Sequence, residues 1–274
     1  MNNSSFRFAQ HLPVVVTLAI AMAVSGCQQE PESAEVQGAD TETSTASVVT
    51  TEAAVPNKQQ VSSSSLTILA LGDSLTEGLG VDKEDNYPAQ LEDRLQEMGY
   101  ANAKVINSGL SGETSTGLVN RLDWVMQTKP DVTILTIGAN DAIRGIDVAT
   151  IEANIRTAVK QLQDNGSVVI LGGMSIYDNL GSDYVAAFSD IYPRVAKDMD
   201  LTLIPFFLEG VGGDRALNQA DAIHPTKEGY EIIVNDNILP ILEPTLEKLK
   251  TADTTDVTDT AQNQTTQNTT NETT

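Results

Sequence analysis

The stretch of sequence that decides the fold is residues 66–74, Leu-Thr-Ile-Leu-Ala-Leu-Gly-Asp-Ser. Its first six residues are apolar or β-branched, with little alternation, which is typical of a strand buried on both faces of a parallel sheet. Gly72 ends this run, and polar residues follow at once. The stretch therefore predicts a central strand whose carboxyl end carries a polar turn.

Outward from this strand, short strands alternate with amphipathic helices. Further strands are predicted at residues 104–107, 131–137, 167–171 and 201–206, and helices at 87–98, 114–127, 151–162, 185–199 and 227–249. This alternation predicts an α/β fold. We expect a doubly wound, flavodoxin-like three-layer sandwich with a five-stranded parallel sheet in the order 2-1-3-4-5. Trp124, on the second helix, is expected in the core.

The amino-terminal 27 residues have the pattern of a secretory signal, with no acidic residue and an apolar run at residues 12–24. That run is short for a membrane-spanning helix, which needs about 20 apolar residues. Residues 24–27, Val-Ser-Gly-Cys, resemble the lipobox of bacterial lipoproteins, which implies acylation of Cys27. We expect an exported protein anchored to the cell envelope by lipid. Residue 28 is Gln and not Asp, which by the same resemblance favours the outer membrane, on its periplasmic side.

Two further segments differ from the core in composition. Residues 28–65 carry six acidic side chains and one basic side chain, and residues 251–274 are mostly Thr, Asn, Gln and Asp. Both lack aromatic residues, a composition that predicts disorder. The predicted organisation is a lipoprotein signal peptide over 1–27, a disordered acidic tether over 28–65, a folded domain over 66–250 and a disordered tail over 251–274.

Composition excludes several classes of function. The formal net charge of −22 argues against a nucleic-acid partner, because binding phosphates requires a basic surface. One cysteine cannot form an internal disulfide or a thiolate metal site, and two histidines argue against a multi-histidine zinc site. We expect no metal and a monomer.

Four polar clusters follow the predicted strands. They are residues 72–75 after the first strand, 107–113 after the second, 138–141 after the third and 221–225 after the fifth. In a parallel sheet of this type, ligands bind beyond the carboxyl ends of the strands. The four clusters are therefore expected to lie on one rim.

Nucleophilic catalysis is the chemistry that these clusters suggest. His224 is the one histidine that remains after removal of the signal, and Asp221 lies three residues before it. A carboxylate at that spacing can reach Nδ1 and leave Nε2 as a base for Ser74. Taken singly, His224 could be structural, and the turn at residues 72–74 could simply cap a helix. Asp73 is interpreted as a ligand of that helix start and not as a catalytic acid.

An oxyanion formed by attack on a carbonyl needs hydrogen-bond donors that are already in place. The candidate donors are the backbone N–H groups of Ser74 and Gly109 and the side-chain amide of Asn140. The alternative for Gly109 and Asn140 is an ordinary role in turns.

Taken together, the blocks GDSLTEG at 72–78, NSGLSGET at 107–114, GAND at 138–141 and DAIHP at 221–225 resemble those of SGNH, or GDSL-type, hydrolases. Ser74, Gly109, Asn140 and His224 match the four namesake positions of that family. The resemblance implies a Ser74–His224–Asp221 triad and an oxyanion hole formed by Ser74, Gly109 and Asn140. It implies no metal or organic cofactor.

Within that family, residues 188–193 and 204–209 are similar to the bacterial thioesterase, lysophospholipase and arylesterase subgroup. This similarity implies a serine esterase that acts on aryl and acyl esters, lysophospholipids and acyl thioesters through an acyl-enzyme on Ser74. Its partners would be a small ester or lipid substrate and the membrane. Five apolar residues near the expected rim are predicted to contact the substrate: Leu79, Leu110, Ile176, Tyr177 and Phe207.

Two other hypotheses stay open at this point. A carbohydrate or peptidoglycan O-acetyl esterase could use the same triad, with a preference for acetyl esters and a polar cleft. A non-enzymic surface lipoprotein could carry these residues without using them.

Overall fold

Five strands form one parallel sheet in the computed structural model, which describes residues 65–177 and 180–251. The strands are β1 (Leu66–Gly72), β2 (Ala103–Gly109), β3 (Val132–Thr136), β4 (Val168–Gly172) and β5 (Thr202–Ile204). They pair in the order β2-β1-β3-β4-β5, which confirms the predicted fold class and strand order. Cys27, the predicted signal peptide, the predicted tether up to residue 64 and the predicted tail from residue 252 onward lie outside the described residues.

Helices follow the strands and cover the sheet. They are α1 (Ser74–Glu77), α2 (Tyr87–Glu97), α3 (Ser115–Val125), α4 (Ala139–Ile143), α5 (Val148–Asp164), α6 (Ser182–Ser189), α7 (Ile191–Asp198) and α8 (Lys227–Ile232). After α8 the chain continues as a π-helix, Ile233–Ile238, and then as an α-helix to residue 251. The wide π turns lie just before Pro240, which has no N–H to offer a regular helix.

Side-chain caps start three of the helices, α2, α3 and α8. Asn86 accepts the N–H of Ala89 at the start of α2, and Thr114 and Thr226 cap α3 and α8 in the same way. Each cap satisfies a backbone donor that has no partner inside the helix. These caps set the points at which the chain turns away from the rim and back along the sheet.

The core is built from both faces of the sheet. Residues Ile68 to Leu71 of β1 are fully buried, as are most apolar side chains of β3 and β4. Trp124 differs from the prediction, because 69% of its surface is exposed. The buried stripe of α3 consists of Leu118, Leu122 and Val125, and Trp124 points away from that stripe.

Strand register brings the polar clusters to a common level. Gly72, the last residue of β1, pairs with Gly109 at the end of β2 and with Thr136 at the end of β3. The residues that follow these strands therefore leave the sheet side by side. In the part of the chain that the structure describes, no helix is both long enough and apolar enough to cross a bilayer.

Candidate active site

Ser74, His224 and Asp221 are joined by two consecutive hydrogen bonds. Ser74 Oγ lies 2.9 Å from His224 Nε2, and His224 Nδ1 lies 2.6 Å from Asp221 Oδ2. The Ser74 side chain is largely buried, whereas 14% of the His224 side chain remains exposed. The structure thus brings Ser74 together with a histidine that lies 150 positions later in the sequence and with the aspartate three residues before that histidine.

The turn between β1 and α1 presents the Ser74 hydroxyl. Gly72 has no room for a side chain, because a Cβ there would collide with the carbonyl oxygen of Thr136. Asp73 caps α1 by accepting the N–H of Leu75 at 3.1 Å, as interpreted from the sequence. Ser74 is the first residue of the helix, so its own N–H has no partner inside the helix.

The loop that carries His224 is tied to the end of α1. The backbone N–H of Gln219 donates to the carbonyl of His224 at 2.8 Å. The side-chain amide of Gln219 donates to the carbonyls of Leu79 at 2.7 Å and Pro225 at 3.0 Å. Gln219 therefore links the segment after Ser74 to the segment around His224.

Asp221 is held as a carboxylate. Besides the histidine, it accepts the backbone N–H groups of Ile223 at 2.9 Å and His224 at 3.1 Å. The hydrogen bond from His224, followed by those from the two backbone groups, lowers the pKa of Asp221 to about 2. An ionised Asp221 holds the proton on Nδ1 and leaves Nε2 facing Ser74 as an acceptor.

Asp73 is buried directly beside Ser74 and orients Asn140. Asn140 Nδ2 donates to Asp73 Oδ2 at 3.2 Å. Burial raises the pKa of Asp73 to about 6, an effect partly offset by the N–H groups of Leu75 and Asn140. The contact identifies which end of the Asn140 amide is the nitrogen and leaves its second N–H available.

Gly109 does not supply the donor that the sequence assigns to it. Its N–H donates to Asn107 Oδ1 at 2.9 Å and is therefore already used. The absence of a side chain serves packing, because a Cβ on Gly109 would collide with the backbone of α1 at Thr76 and Glu77. The prediction that the Gly109 N–H binds the oxyanion is therefore wrong.

Gly112, three residues further along, fits that role better. Gly112 is exposed on the rim, and its N–H donates to no acceptor in the described residues. Arg144 binds the carbonyls of both Gly112 (3.0 Å) and Asn140 (2.8 Å), which brings these two residues to the same side of the site. Both glycines lie in the block at 107–114, and the sequence carries no signal that distinguishes them.

Exposed apolar side chains surround the triad. Leu79, Leu110 and Tyr177, three of the predicted substrate contacts, are 45%, 52% and 61% exposed. Ile143 in α4 and Ile223 in the histidine loop are exposed too, although the sequence analysis did not select them. All five follow the carboxyl ends of strands.

The other two predicted substrate contacts differ from each other. Ile176 is half-buried and packs against the core. Phe207 is fully buried and meets Tyr87 edge-to-face with the ring centroids 5.3 Å apart, so it belongs to the core and not to the rim. Tyr177 additionally donates its hydroxyl to the carbonyl of Ala222 at 3.0 Å, which fastens the loop after β4 to the histidine loop.

Residues 70–232 match a family model described as the GDSL-like lipase/acylhydrolase family. Esterase TesA of Pseudomonas aeruginosa is 36% identical over 181 residues, covering 66% of this chain and 89% of that protein. Thioesterase 1/protease 1/lysophospholipase L1 of Escherichia coli is 32% identical over 170 residues, covering 62% and 80%. The crystal structure of esterase EstA from Pseudoalteromonas, inhibited by monoethylphosphonate, has a TM-score of 0.62 and 30% identity and covers 66% of this chain and 98% of that one.

Proposed function

This chain belongs to the GDSL-like lipase/acylhydrolase family and is a serine ester hydrolase, and we propose that Ser74 is its nucleophile, His224 its general base and Asp221 the carboxylate that orients the histidine. The observation that carries the proposal is the unbroken hydrogen-bonded line from Ser74 through His224 to Asp221. A neutral serine is a weak nucleophile until a base accepts its proton, and this line supplies the base.

The reaction proceeds in two half-reactions. Ser74 Oγ attacks the carbonyl carbon of the ester while its proton moves to His224 Nε2. Collapse of the tetrahedral intermediate breaks the bond to the leaving alcohol, which takes the proton from the imidazolium and leaves an acyl group on Ser74. Water then attacks the acyl-enzyme with His224 again as the base, and the carboxylic acid departs with Ser74 restored.

Three donors would bind the oxyanion of the tetrahedral intermediate. They are the N–H groups of Ser74 and Gly112 and the second N–H of Asn140 Nδ2. The Ser74 and Gly112 groups have no acceptor among the described residues, and Asp73 holds the Asn140 amide with its nitrogen toward the site. Preorganised donors of this kind typically contribute ~10²–10³-fold each to kcat.

We propose esters with an apolar acyl or aryl part as substrates, including lysophospholipids and, as a further capability, acyl thioesters. The exposed apolar side chains at the rim support this class, because they would bind an acyl chain or aromatic ring. Relatives named arylesterase and thioesterase/lysophospholipase agree with it. An O-acetyl esterase acting on carbohydrate is the second candidate, but this apolar rim does not favour it. Membership of a hydrolase family sets aside a non-enzymic surface protein.

We also propose that the protein is exported and anchored to the membrane through acylated Cys27. The support is the lipobox-like sequence at residues 24–27 and the position of the chain's one cysteine within it. The chain enters the fold at β1, whose amino end is opposite the rim that carries Ser74. Metabolic labelling with an alkyne fatty acid should mark the wild-type protein but not Cys27→Ser, and equal labelling of both would contradict the anchor.

A substrate series combined with active-site labelling tests the proposed function. Wild-type protein and Ser182→Ala, a change at an exposed serine in α6, should react with a fluorophosphonate probe, and Ser74→Ala should not. Hydrolysis of p-nitrophenyl acetate, octanoate and palmitate then separates the two substrate classes. A higher kcat/KM for octanoate than for acetate supports the acyl-chain proposal. A steady decrease from acetate onward would contradict it and favour the O-acetyl esterase.

A further inference from the structure

The loop that carries Gly112 is held on both sides by oppositely charged side chains. Glu77 Oε2 accepts the backbone N–H of Ser111 at 2.8 Å and also the Ser111 hydroxyl. Arg144 Nη2 donates to the carbonyl of Gly112 at 3.0 Å. The peptide unit that joins Ser111 to Gly112, and that contains the Gly112 N–H, therefore lies between the two anchors.

This peptide unit is the one that a β-turn can flip. The N–H of Glu113 donates to the carbonyl of Leu110 at 3.0 Å, so residues 110–113 form a turn with Ser111 and Gly112 at its centre. Gly112 has a φ of +76°, which is typical of the third position of a type II turn. Type I and type II turns differ in the orientation of their central peptide, and glycine permits both. A flip would reverse the direction of the Gly112 N–H.

Packing around Gly112 does little to prevent that flip. The residue is exposed, and a Cβ placed on it would meet only Arg144 Nη2, at 3.7 Å. The backbone bond from Leu110 to the carbonyl of Gly72 fixes the start of the turn but not its central peptide. The bonds from Glu77 and Arg144 act on the two peptide units that flank this one, so they fix the position of the whole turn on the rim and, with it, the position of the Gly112 N–H.

Arg144 also connects this turn to the second donor. Its Nη1 donates to the carbonyl of Asn140 at 2.8 Å while Nη2 holds Gly112. The planar guanidinium fixes the separation of the two carbonyls, which a single ammonium group could not do. Through Arg144, the turn after β2 and the helix start after β3 keep a constant spacing.

We propose that Glu77 and Arg144 are positioning residues for the oxyanion hole, which hold the Gly112 N–H and the Asn140 amide toward the reacting carbonyl. This inference rests on the proposed function, because it assumes that the Gly112 N–H binds the oxyanion. Both side chains are exposed, and exposed charged contacts contribute little to folding stability. Their loss should therefore reduce the stabilisation of the transition state more than the stability of the fold.

The experiment compares Glu77→Ala and Arg144→Ala with Glu77→Gln and Arg144→Lys in steady-state hydrolysis of p-nitrophenyl octanoate. Loss of one oxyanion donor costs ~10²–10³-fold in kcat, and a mispositioned donor costs less, so we expect kcat to fall about 10- to 100-fold in each alanine variant. KM should change less than about threefold. Glu77→Gln should recover most of the activity, because its amide oxygen can still accept the N–H of Ser111. Arg144→Lys should recover only part.

Controls separate this inference from the proposed function. Arg156→Ala removes an arginine of α5 that pairs with Glu152 and Asp198, and it should leave kcat unchanged. Ser74→Ala should be inactive in the same assay; if it is not, the proposed function fails. If Ser74→Ala is inactive but both alanine variants keep kcat within threefold of wild type, the positioning role alone is wrong. A raised KM with unchanged kcat would also overturn it, by indicating direct contact with the substrate.

A second measurement covers variants that fold poorly. The affinity of a boronic acid, which forms a tetrahedral adduct on the serine, should fall in parallel with kcat in the folded fraction. The double variant Glu77→Ala/Arg144→Ala should lose less than the product of the two single losses, because both changes release the same turn. Fully multiplicative losses or unchanged boronate affinity would contradict a shared action on that turn.

Discussion

Replacement of Asp73 by asparagine should stabilise the fold while weakening catalysis. The Asp73 side chain is only 2% exposed, and its carboxylate accepts hydrogen bonds from the Leu75 N–H and the Asn140 amide. Asparagine has nearly the same shape and keeps one oxygen that can accept a hydrogen bond, but it carries no charge. The substitution therefore isolates the free energy of holding a buried negative charge beside Ser74.

The pKa of Asp73 gives the size and the sign of the change in unfolding free energy. Burial raises that pKa from 3.8 to about 6, a shift equivalent to about 3 kcal/mol. Because the pKa in the folded state is raised, the favourable contribution of the protonated carboxyl is complete below pH 3.8 and is lost as the pH rises through 6. Between pH 4 and pH 7, wild type should lose up to about 3 kcal/mol of unfolding free energy relative to Asp73→Asn.

Denaturant unfolding of both proteins at several pH values between 4 and 7.5 measures this difference. Other titrating groups, including Asp221, are present in both proteins and cancel. Asp123→Asn, at an exposed position of α3, is the matched control for loss of one negative charge. A difference between wild type and Asp73→Asn that stays within about 0.5 kcal/mol across the range would refute the argument.

The Asp73→Asn variant should be less active than wild type, although its fold is more stable. An amide at position 73 can present either its oxygen or its NH₂ group to Asn140, so it no longer holds the Asn140 amide in one orientation. We expect kcat to fall about tenfold at pH 7.5, since a mispositioned donor costs less than the ~10²–10³-fold of a lost one. An unchanged kcat would show that Asp73 does not orient Asn140.

Three further predictions concern the triad and the two glycines. Ser74→Ala or His224→Ala should lower kcat/KM by more than ~10³-fold in p-nitrophenyl ester hydrolysis, because triad members act as a unit, and a residual above a tenth of wild type would exclude the assignment. Asp221→Asn should lose less than Ser74→Ala, since both reacting groups remain, and a loss as complete as that of Ser74→Ala would show otherwise. Gly109→Ala should lower the melting temperature far more than Gly112→Ala, because a Cβ on Gly109 collides with the backbone of α1, whereas a Cβ on Gly112 would meet only Arg144 Nη2, at 3.7 Å, and would cost mainly the strain of a positive φ; equal melting temperatures would contradict this packing.

The parallel sheet could be predicted from elementary rules, whereas the order 2-1-3-4-5 was a choice among the doubly wound folds that these rules allow. Short apolar runs, such as β1 and β3, indicate strands buried on both faces, and intervening amphipathic helices require parallel strands with right-handed crossovers. The location of the polar clusters on one rim could be predicted from the same rules, since the carboxyl ends of parallel strands lie on one edge of the sheet. Element boundaries were less predictable: the helix expected at 185–199 is divided at Asp190 into α6 and α7.

The structure differs from the sequence-based prediction at three positions, Trp124, Phe207 and Gly109. Trp124 is large and apolar, but it lies off the stripe that α3 turns toward the sheet. Phe207 follows β5 near the rim, yet its ring turns inward against Tyr87. Gly109 and Gly112 share one motif, and only the structure distinguishes them, by the hydrogen bond from Gly109 to Asn107 and by the packing of Gly109 against α1. In each case the direction of a side chain or an N–H group depends on neighbours that are distant in sequence.

By itself, the sequence determined the α/β class, the parallel sheet and the residue types at the rim, because local periodicity and the ends of strands specify them. The tertiary structure decided which groups meet: the 2.9 Å contact between Ser74 and His224, the burial that raises the pKa of Asp73, and the paired anchors on the Gly112 turn. Hydrogen bonds and desolvation depend on distances of a few ångströms between segments far apart in the chain, and only the packed fold sets those distances.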